Sequence, residues 1–415
     1  MRIPYPAPFQ QLAYYGWLVV GTVFLASAIS IGPGYAFGLF IEPLENSFSW
    51  PRTAISASLS FAAVGSLASP ILGKLMDRYG ARLLITLSLF IMGISFLLRP
   101  LMSELWHWYV LSFLQYIAFA GSTGLPAGRL VPIWFPKTRG RVMGITTMGN
   151  NFGGVTVPLI TGFLLASGNW EAAFLVLAGL TFSIGLMSLV FIRDFPSEDG
   201  SGESSTSPIK LTGLSAKEAV RSRSFYFLGF SMMLGSFTYS AVLPQVGDHL
   251  IAKGMSQTTV PFAISLLATF GMAGKLIFGY MSEIYTARRM MIVSLAGQVV
   301  FIFMMVIFPT PPIAWFAVPL FGLFMGSYGA LGNLVAQETF GLKHFGSVAG
   351  LLSMAGVISF FIGPFVAGQS YDLTDSYGPG FIAVAIMFTI AAIALTMVTP
   401  LEEEPAFIET KKQGG

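Results

Sequence analysis

Residues 73–84 read GKLMDRYGARLL, and residues 279–290 read GYMSEIYTARRM. Gly73 aligns with Gly279, Asp77 with Glu283 and Arg82 with Arg288, each at an offset of 206. The same offset carries Gly140 to Gly346, Gly144 to Gly350, Pro158 to Pro364 and Gly162 to Gly368. One region shifts to 205, taking Gly121 to Gly326, Ser122 to Ser327 and Phe135 to Phe340. Glycine supplies 46 of the 415 residues, so isolated matches mean little. A constant offset through charged, Pro and Gly positions marks an internal repeat. Small residues and prolines recur where helices cross closely or bend.

Outside these stretches the chain is apolar. It is 54% hydrophobic and 10% charged, where a soluble domain carries about 25% charge. Water cannot hold that much apolar surface, but a bilayer can, and each crossing helix needs about 20 apolar residues. Stretches bounded by charges supply the spans. Ile3–Ile41 holds the first, from near Tyr14, and Thr53–Gly73 the second, opened by Ser49 and Pro51. Leu83–Leu98, Leu105–Gly128, Val142–Trp170 and Ala172–Ile192 follow. Ser224–Gly247 and Gly254–Gly274 begin the seventh and eighth. Met290–Gln337 runs 48 residues without a charge, and Pro309, Pro311 and Pro312 divide it in two. Phe345–Tyr371 and Ser376–Leu401 complete twelve.

The expected fold is an all-α membrane protein of two pseudo-symmetric six-helix halves. Residues 1–192 form the first half and 224–400 the second. A polar linker spans 193–223, with Asp199, Gly200, Ser201, Gly202 and Glu203 at its centre, and 401–415 form a tail. With the N-terminus inside, seventeen of the 22 Lys and Arg residues fall in cytoplasmic segments, and three (Arg52, Arg99, Lys253) in outer turns. Both termini are therefore expected in the cytoplasm, and the protein in the plasma or inner membrane. The net charge of +3 sits in short turns and gives no nucleic-acid signal. Cysteine is absent, so redox compartment is unreadable and Cys-type metal chemistry is excluded. Residues Met1 to Leu12 lack the pattern of a cleaved signal peptide.

Gly73, Asp77, Arg78, Gly80 and Arg82 resemble the signature of the major facilitator superfamily, with its spacing complete. The resemblance covers about residues 14–400. It implies that Asp77 sits against the start of the eleventh helix as a latch, where a carboxylate meets helix N–H groups at a gain of roughly 0.3–1 kcal/mol. Arg78, Arg82, Glu283 and Arg288 belong to the same implied gating set. Thr286 replaces the second-half glycine, so the matching latch at Glu283 departs from the pattern.

Further segments narrow the resemblance. Tyr15-Gly16-Trp17, Gly34-Tyr35-Ala36-Phe37-Gly38, Ser49-Trp50-Pro51-Arg52 and Trp134-Phe135-Pro136-Lys137-Thr138-Arg139-Gly140-Arg141 look like the monocarboxylate-porter and oxalate/formate-antiporter branch. Lys275 stands in the eighth span, eight residues before Glu283, so roughly 12 Å of helix separates them. In that branch an arginine resembling Lys275 in position binds the substrate carboxylate. Lys275 is then either an anion anchor or a lysine snorkelling to the surface. Lysine is a point charge where arginine grips bidentately. This sequence departs from proton-coupled animal porters at Gly271, where they carry aspartate, and near Leu39, where they carry lysine. It lacks the lysine of oxalate antiporters in Phe345–Tyr371. One cation suits one carboxylate, so a monocarboxylate is favoured over a dicarboxylate.

Polar residues placed to line a cavity are Tyr35, Gln115, Tyr116, Asn150, Asn151, Tyr328 and Asn333; interhelical hydrogen bonding accounts for them equally well. Arg129 either attracts anions, pairs with Glu338 as a gate, or snorkels. Asp248 and His249 are the candidates for proton coupling, or else an outer-surface pair. The sequence reads as a secondary carrier of small organic anions working by alternating access, not an enzyme, with no cofactor or metal. Its partners are a carboxylate substrate, the bilayer, and a coupling proton or counter-anion, and a monomer is expected. The alternative is a proton-coupled exporter of hydrophobic compounds, which commonly needs a buried acid in the first span; Ile3–Ile41 has none. A nitrate-type porter would need a base in Thr53–Gly73, and there is none.

Overall fold

The computed structural model describes residues 7–165, 169–195, 211–256, 259–308 and 310–400, with some side chains left out, among them those of 7–14, Arg52 and Asp248. The membrane helices are α1 (Ala7–Phe48), α2 (Ser58–Tyr79), α3 (Ala81–Leu101), α4 (Leu105–Trp134), α5 (Arg139–Leu165) and α6 (Trp170–Phe191). The second six are α7 (Arg223–Gln245), α8 (Val260–Ile284), α9 (Ala287–Ile307), α10 (Pro311–Phe340), α11 (Phe345–Tyr371) and α12 (Gly378–Thr396). Among the described residues, eleven of these are long and apolar enough to cross a membrane by length and composition. The twelfth is α5, whose Thr146, Thr147, Asn150, Asn151 and glycines dilute its hydropathy.

Local chemistry sets the helix ends. The Asn169 side chain accepts from Ala172 N at 2.8 Å to start α6, and Asp194 accepts from Ala81 N at 2.5 Å to start α3. Gly80 turns the chain from α2 to α3 at φ 90, and a side chain there would collide with the Asp194 carboxylate. At the repeat position Thr286 holds φ 139, a backbone region that disfavours a β-branched residue, while its hydroxyl accepts from Arg289 N at 3.3 Å. Several helices are interrupted: α4 at Thr123, α10 at Ser327 and α11 at Met354, and α7 carries a π-helical turn at Thr238–Val242. Within 193–223, the stretch 196–210 lies outside the described residues. Ala216–Arg221 is a short helix with a Ser215–Glu218 capping box, and Gly213 bridges to Gly341 beyond α10.

The repeat becomes geometry where the halves meet. A Cβ at Gly73 of α2 would strike the Gly346 carbonyl of α11, and one at Gly140 of α5 would strike the Gly279 carbonyl of α8. One turn deeper, Gly350 packs on the Ser69 carbonyl and Gly144 on the Lys275 carbonyl. The offset of 206 exchanges the members of each set. Both crossings lie at the end of the bundle carrying the two signature turns. Packing between the halves concentrates there, and Tyr35, in the opposite half of α1, is 64% exposed. Contacts joining the halves thin out toward that other end.

These backbone-to-backbone approaches leave no room for a side chain. Gly73→Val should cost the closed arrangement about 1–3 kcal/mol through overpacking. Spin labels at Lys137Cys and Lys343Cys, unique in a chain without cysteine, should report a longer distance than in the parent. An unchanged distance would contradict the crossing geometry.

Candidate functional site

Lys275 lies near the middle of α8 and is only 8% exposed. Its ammonium crosses to the other half, donating to Thr147 O at 2.9 Å and Asn151 Oδ1 at 2.5 Å on α5. Both acceptors are neutral, and among the described residues no carboxylate pairs with it. An ammonium has three protons, so one is left for another acceptor. Snorkelling is thereby ruled out in this conformation: the side chain points at the partner half, not at the surface. Lys275 lies at the seam between the halves, one turn deeper than the Gly140–Gly279 crossing.

The closing layer below it is polar. Asp77 accepts from Gly346 N at 2.9 Å, Ser347 N at 2.7 Å and Ser347 Oγ at 2.6 Å, capping α11 from the other half. Arg129 Nη1 completes the carboxylate at 3.1 Å while also donating to Met76 O at 3.0 Å. Glu283 repeats the arrangement on α5, accepting from Arg141 N and Arg141 Nε, each at 2.8 Å. Arg129 thus pairs with Asp77 and not with Glu338. Glu338 instead takes Arg139 Nη2 at 3.4 Å and Ala287 N at 3.3 Å, tying α10 to α5 and α9. Gln337 Nε2 adds a bond to Gly128 O at 2.9 Å between α10 and α4. Arg288 donates to the Val398 carbonyl past α12. Arg78 is exposed over the Tyr79 ring, and Arg82 is exposed.

The remaining predicted residues divide. Asn151 joins Lys275, with half-buried Asn150 beside it. Asn333 faces Gly124 and Gly128 of α4 across the halves. Tyr35 lies on α1 against Gly154. Tyr328 is consumed within the second half, its hydroxyl donating to Ser231 O at 3.0 Å and Met232 O at 3.2 Å. Tyr116 and Gln115 line a separate recess around Arg99. Arg99 was expected in an outer turn. It is 4% exposed, because the end of α3 is packed over by α4 and α6. The signal for it lay in Ser112, Gln115 and Tyr116, which share one face of α4 by their i, i+3, i+4 spacing. His249 is buried, not at the surface, with Nε2 3.3 Å from Met305 O and its ring 4.9 Å from that of Phe381. The side chain of Asp248 lies outside the described residues.

The branch motifs also meet. Tyr15 stacks on Trp134 with ring centroids 5.5 Å apart, Trp17 lies 5.1 Å from Phe135, and Trp134 Nε1 donates to Arg193 O at 3.0 Å. Motifs more than a hundred residues apart thus form one cluster binding α1 to the end of α4.

The family model described as Major Facilitator Superfamily matches residues 23–364 and 225–414. The chain belongs to the major facilitator superfamily. It is a multi-pass membrane transporter and not an enzyme. Monocarboxylate transporter 13 of Bos taurus is 23% identical to it over 93% of this chain and 89% of that protein. The hexuronate transporter of Bacillus subtilis is 23% identical over 95% and 97%. An uncharacterized transporter of Saccharomyces cerevisiae is 22% identical over 77% of this chain, which spans about half of its length, 48%. Among solved structures, the proton:xylose symporter XylE superposes with a TM-score of 0.72 at 12% identity, covering 93% of this chain and 96% of that one. This likeness shows the superfamily's fold.

Two outcomes follow from the superfamily site. Asp77→Asn leaves Arg129 buried opposite a neutral group, which should cost the closed state about 3–5 kcal/mol; the Lys137Cys–Lys343Cys distance should shift to longer values, and no shift would refute the latch. Burial pushes the His249 imidazole below the ordinary histidine range. The folded state then holds it neutral while the unfolded state takes up a proton, so stability is full above the ordinary value and falls as pH drops through the folded one. Thermal melts from pH 7.5 to 5.5 should show a steeper loss in the parent than in His249→Phe.

Proposed function

We propose that this transporter carries small organic anions, with a monocarboxylate as the favoured class, by alternating access between the two halves. The observation that carries the reading is Lys275: one buried ammonium at the meeting of the halves, held by two neutral oxygens with a proton to spare. A charge that deep is costly unless compensated, and a bound anion supplies what the protein does not. The names of relatives such as the Bos taurus monocarboxylate transporter support this class, while the hexuronate transporter widens it to larger sugar acids. A single cation favours a single carboxylate.

In the mechanism, an anion entering from the end opposite the signature turns reaches Lys275. Its carboxylate competes with Asn151 for the ammonium. Loosening that bond weakens the tie between α8 and α5, leaving the Asp77 and Glu283 latches, the Arg139–Glu338 pair and the glycine crossings to hold the closed end. Binding energy is thereby directed to the rearrangement, as population shift requires. The signature end faces the cytoplasm in this reading, following the distribution of Lys and Arg.

The test is a ligand panel read by thermal stabilisation: formate, acetate, lactate, pyruvate, glucuronate, oxalate, nitrate and a lipophilic cation. A ligand binding only the folded state stabilises by RT ln(1 + [L]/Kd), about 2.7 kcal/mol at a hundredfold excess over Kd. Monocarboxylates should stabilise the parent and leave Lys275→Gln much less affected. Stabilisation by the lipophilic cation alone would favour an exporter, and an undiminished response in Lys275→Gln would remove Lys275 from the site.

A further inference from the structure

The first half contains a second buried cation that the Lys275 site does not use. Arg99 closes α3 at 4% exposure. Its guanidinium lies 4.2 Å from the Trp108 ring centroid, 4.8 Å from Phe174 and 5.5 Å from Phe96. Nη2 donates to Gln115 Oε1 at 2.6 Å and lies 3.4 Å from Ser112 Oγ. Nε is buried with no hydrogen-bond partner, and no carboxylate pairs with the group among the described residues. Beside it is a small recess, about 10 Å³ as traced by the centre of a water-sized sphere, whose wall also includes Ser58 and Tyr116.

The aromatic faces favour the cation but do not neutralise it. A buried positive charge with an unused N–H and a recess beside it lacks an anion. The repeat strengthens this. At the offset of 206 Arg99 corresponds to Met305, and at 205 Ser112 and Gln115 correspond to Ala317 and Leu320. The second half builds the same part of the fold without charge, so packing alone does not call for an arginine. Hydroxyl and amide groups at Ser112, Gln115 and Tyr116 are donors suited to an anion's remaining lone pairs.

We propose that the Arg99 recess binds a compact monovalent anion, separate from Lys275 and held wholly within the first half. Chloride and the head of a small carboxylate share the chemistry, a single negative charge small enough to sit between the guanidinium and Ser112.

The experiment uses the full purified chain carrying Lys275→Gln, so that the central cation is absent. Thermal melts are run at constant ionic strength with chloride, formate or acetate replacing gluconate, which is too bulky for the recess. The melting temperature should rise saturably with a compact anion. The rise should vanish with Arg99→Gln and return at higher concentration with Arg99→Lys. A response to formate and acetate alone identifies a carboxylate site, and an equal response to chloride identifies a general small-anion site. Ser112→Leu keeps the charge and fills the recess, so it decides the matter even where Arg99→Gln fails to fold; it too should abolish the rise. No rise above gluconate, or an undiminished rise in Ser112→Leu, overturns the proposal. Because the parent already lacks the Lys275 cation, failure here leaves the proposed function standing, and failure of the panel leaves this site standing.

Discussion

The closed end of this transporter depends on backbone touching backbone. Gly73 on Gly346 and Gly140 on Gly279 bring α2 to α11 and α5 to α8 with nothing between them. Close approach of this kind relies on van der Waals packing and on carbonyls and N–H groups finding partners across the seam, since lipid supplies no hydrophobic drive between helices. The carboxylates of Asp77 and Glu283 then reach the free N–H groups at the starts of α11 and α5. Neither feature works without the other. The glycines bring each helix start within reach of a carboxylate, and the carboxylate satisfies donors that the apolar seam would leave unpaired.

The glycine crossings and their carboxylate caps occur twice, but the charges around them do not: Arg129 backs Asp77, and its repeat positions hold Leu334 and Val335. Ser69 and Lys275 occupy equivalent positions, each offering its carbonyl to a glycine of the opposite half. Only one carries charge. Arg99 against Met305 is a further break in the same symmetry. Gly80 against Thr286 is another, and there the substitution places a β-branched residue at φ 139. The two signature turns therefore differ in strain although their latches share a geometry.

Much of this was readable from the chain. A fixed offset through Gly, Pro and charge gave the duplication, and uncharged runs gave twelve helices, including α5, which composition alone ranks low. The placement of Asp77 against α11 followed from the signature. The contacts of long side chains were not readable, because periodicity names a face and not the neighbour opposite it. Arg129 had two acids within plausible reach, and only the packed helices show that it reaches Asp77. Tyr328 had the character of a cavity residue, but the close approach of Gly235 turns its hydroxyl onto α7. Arg99 and His249 sit at helix ends, where sequence places charge in water, yet neighbouring helices extend past them and bury both.

The packing at Lys275 separates two duties usually shared by one residue. Its carbonyl receives Gly144, and any amino acid would present the same carbonyl. Its side chain alone meets Asn151. Since the duplicated serine at 69 supports an equivalent crossing, the backbone approach itself sets no requirement on what projects from position 275. The two halves thus keep one crossing while carrying different side chains upon it. A change of side chain at 275 can therefore alter what the seam presents without altering how the two backbones meet there.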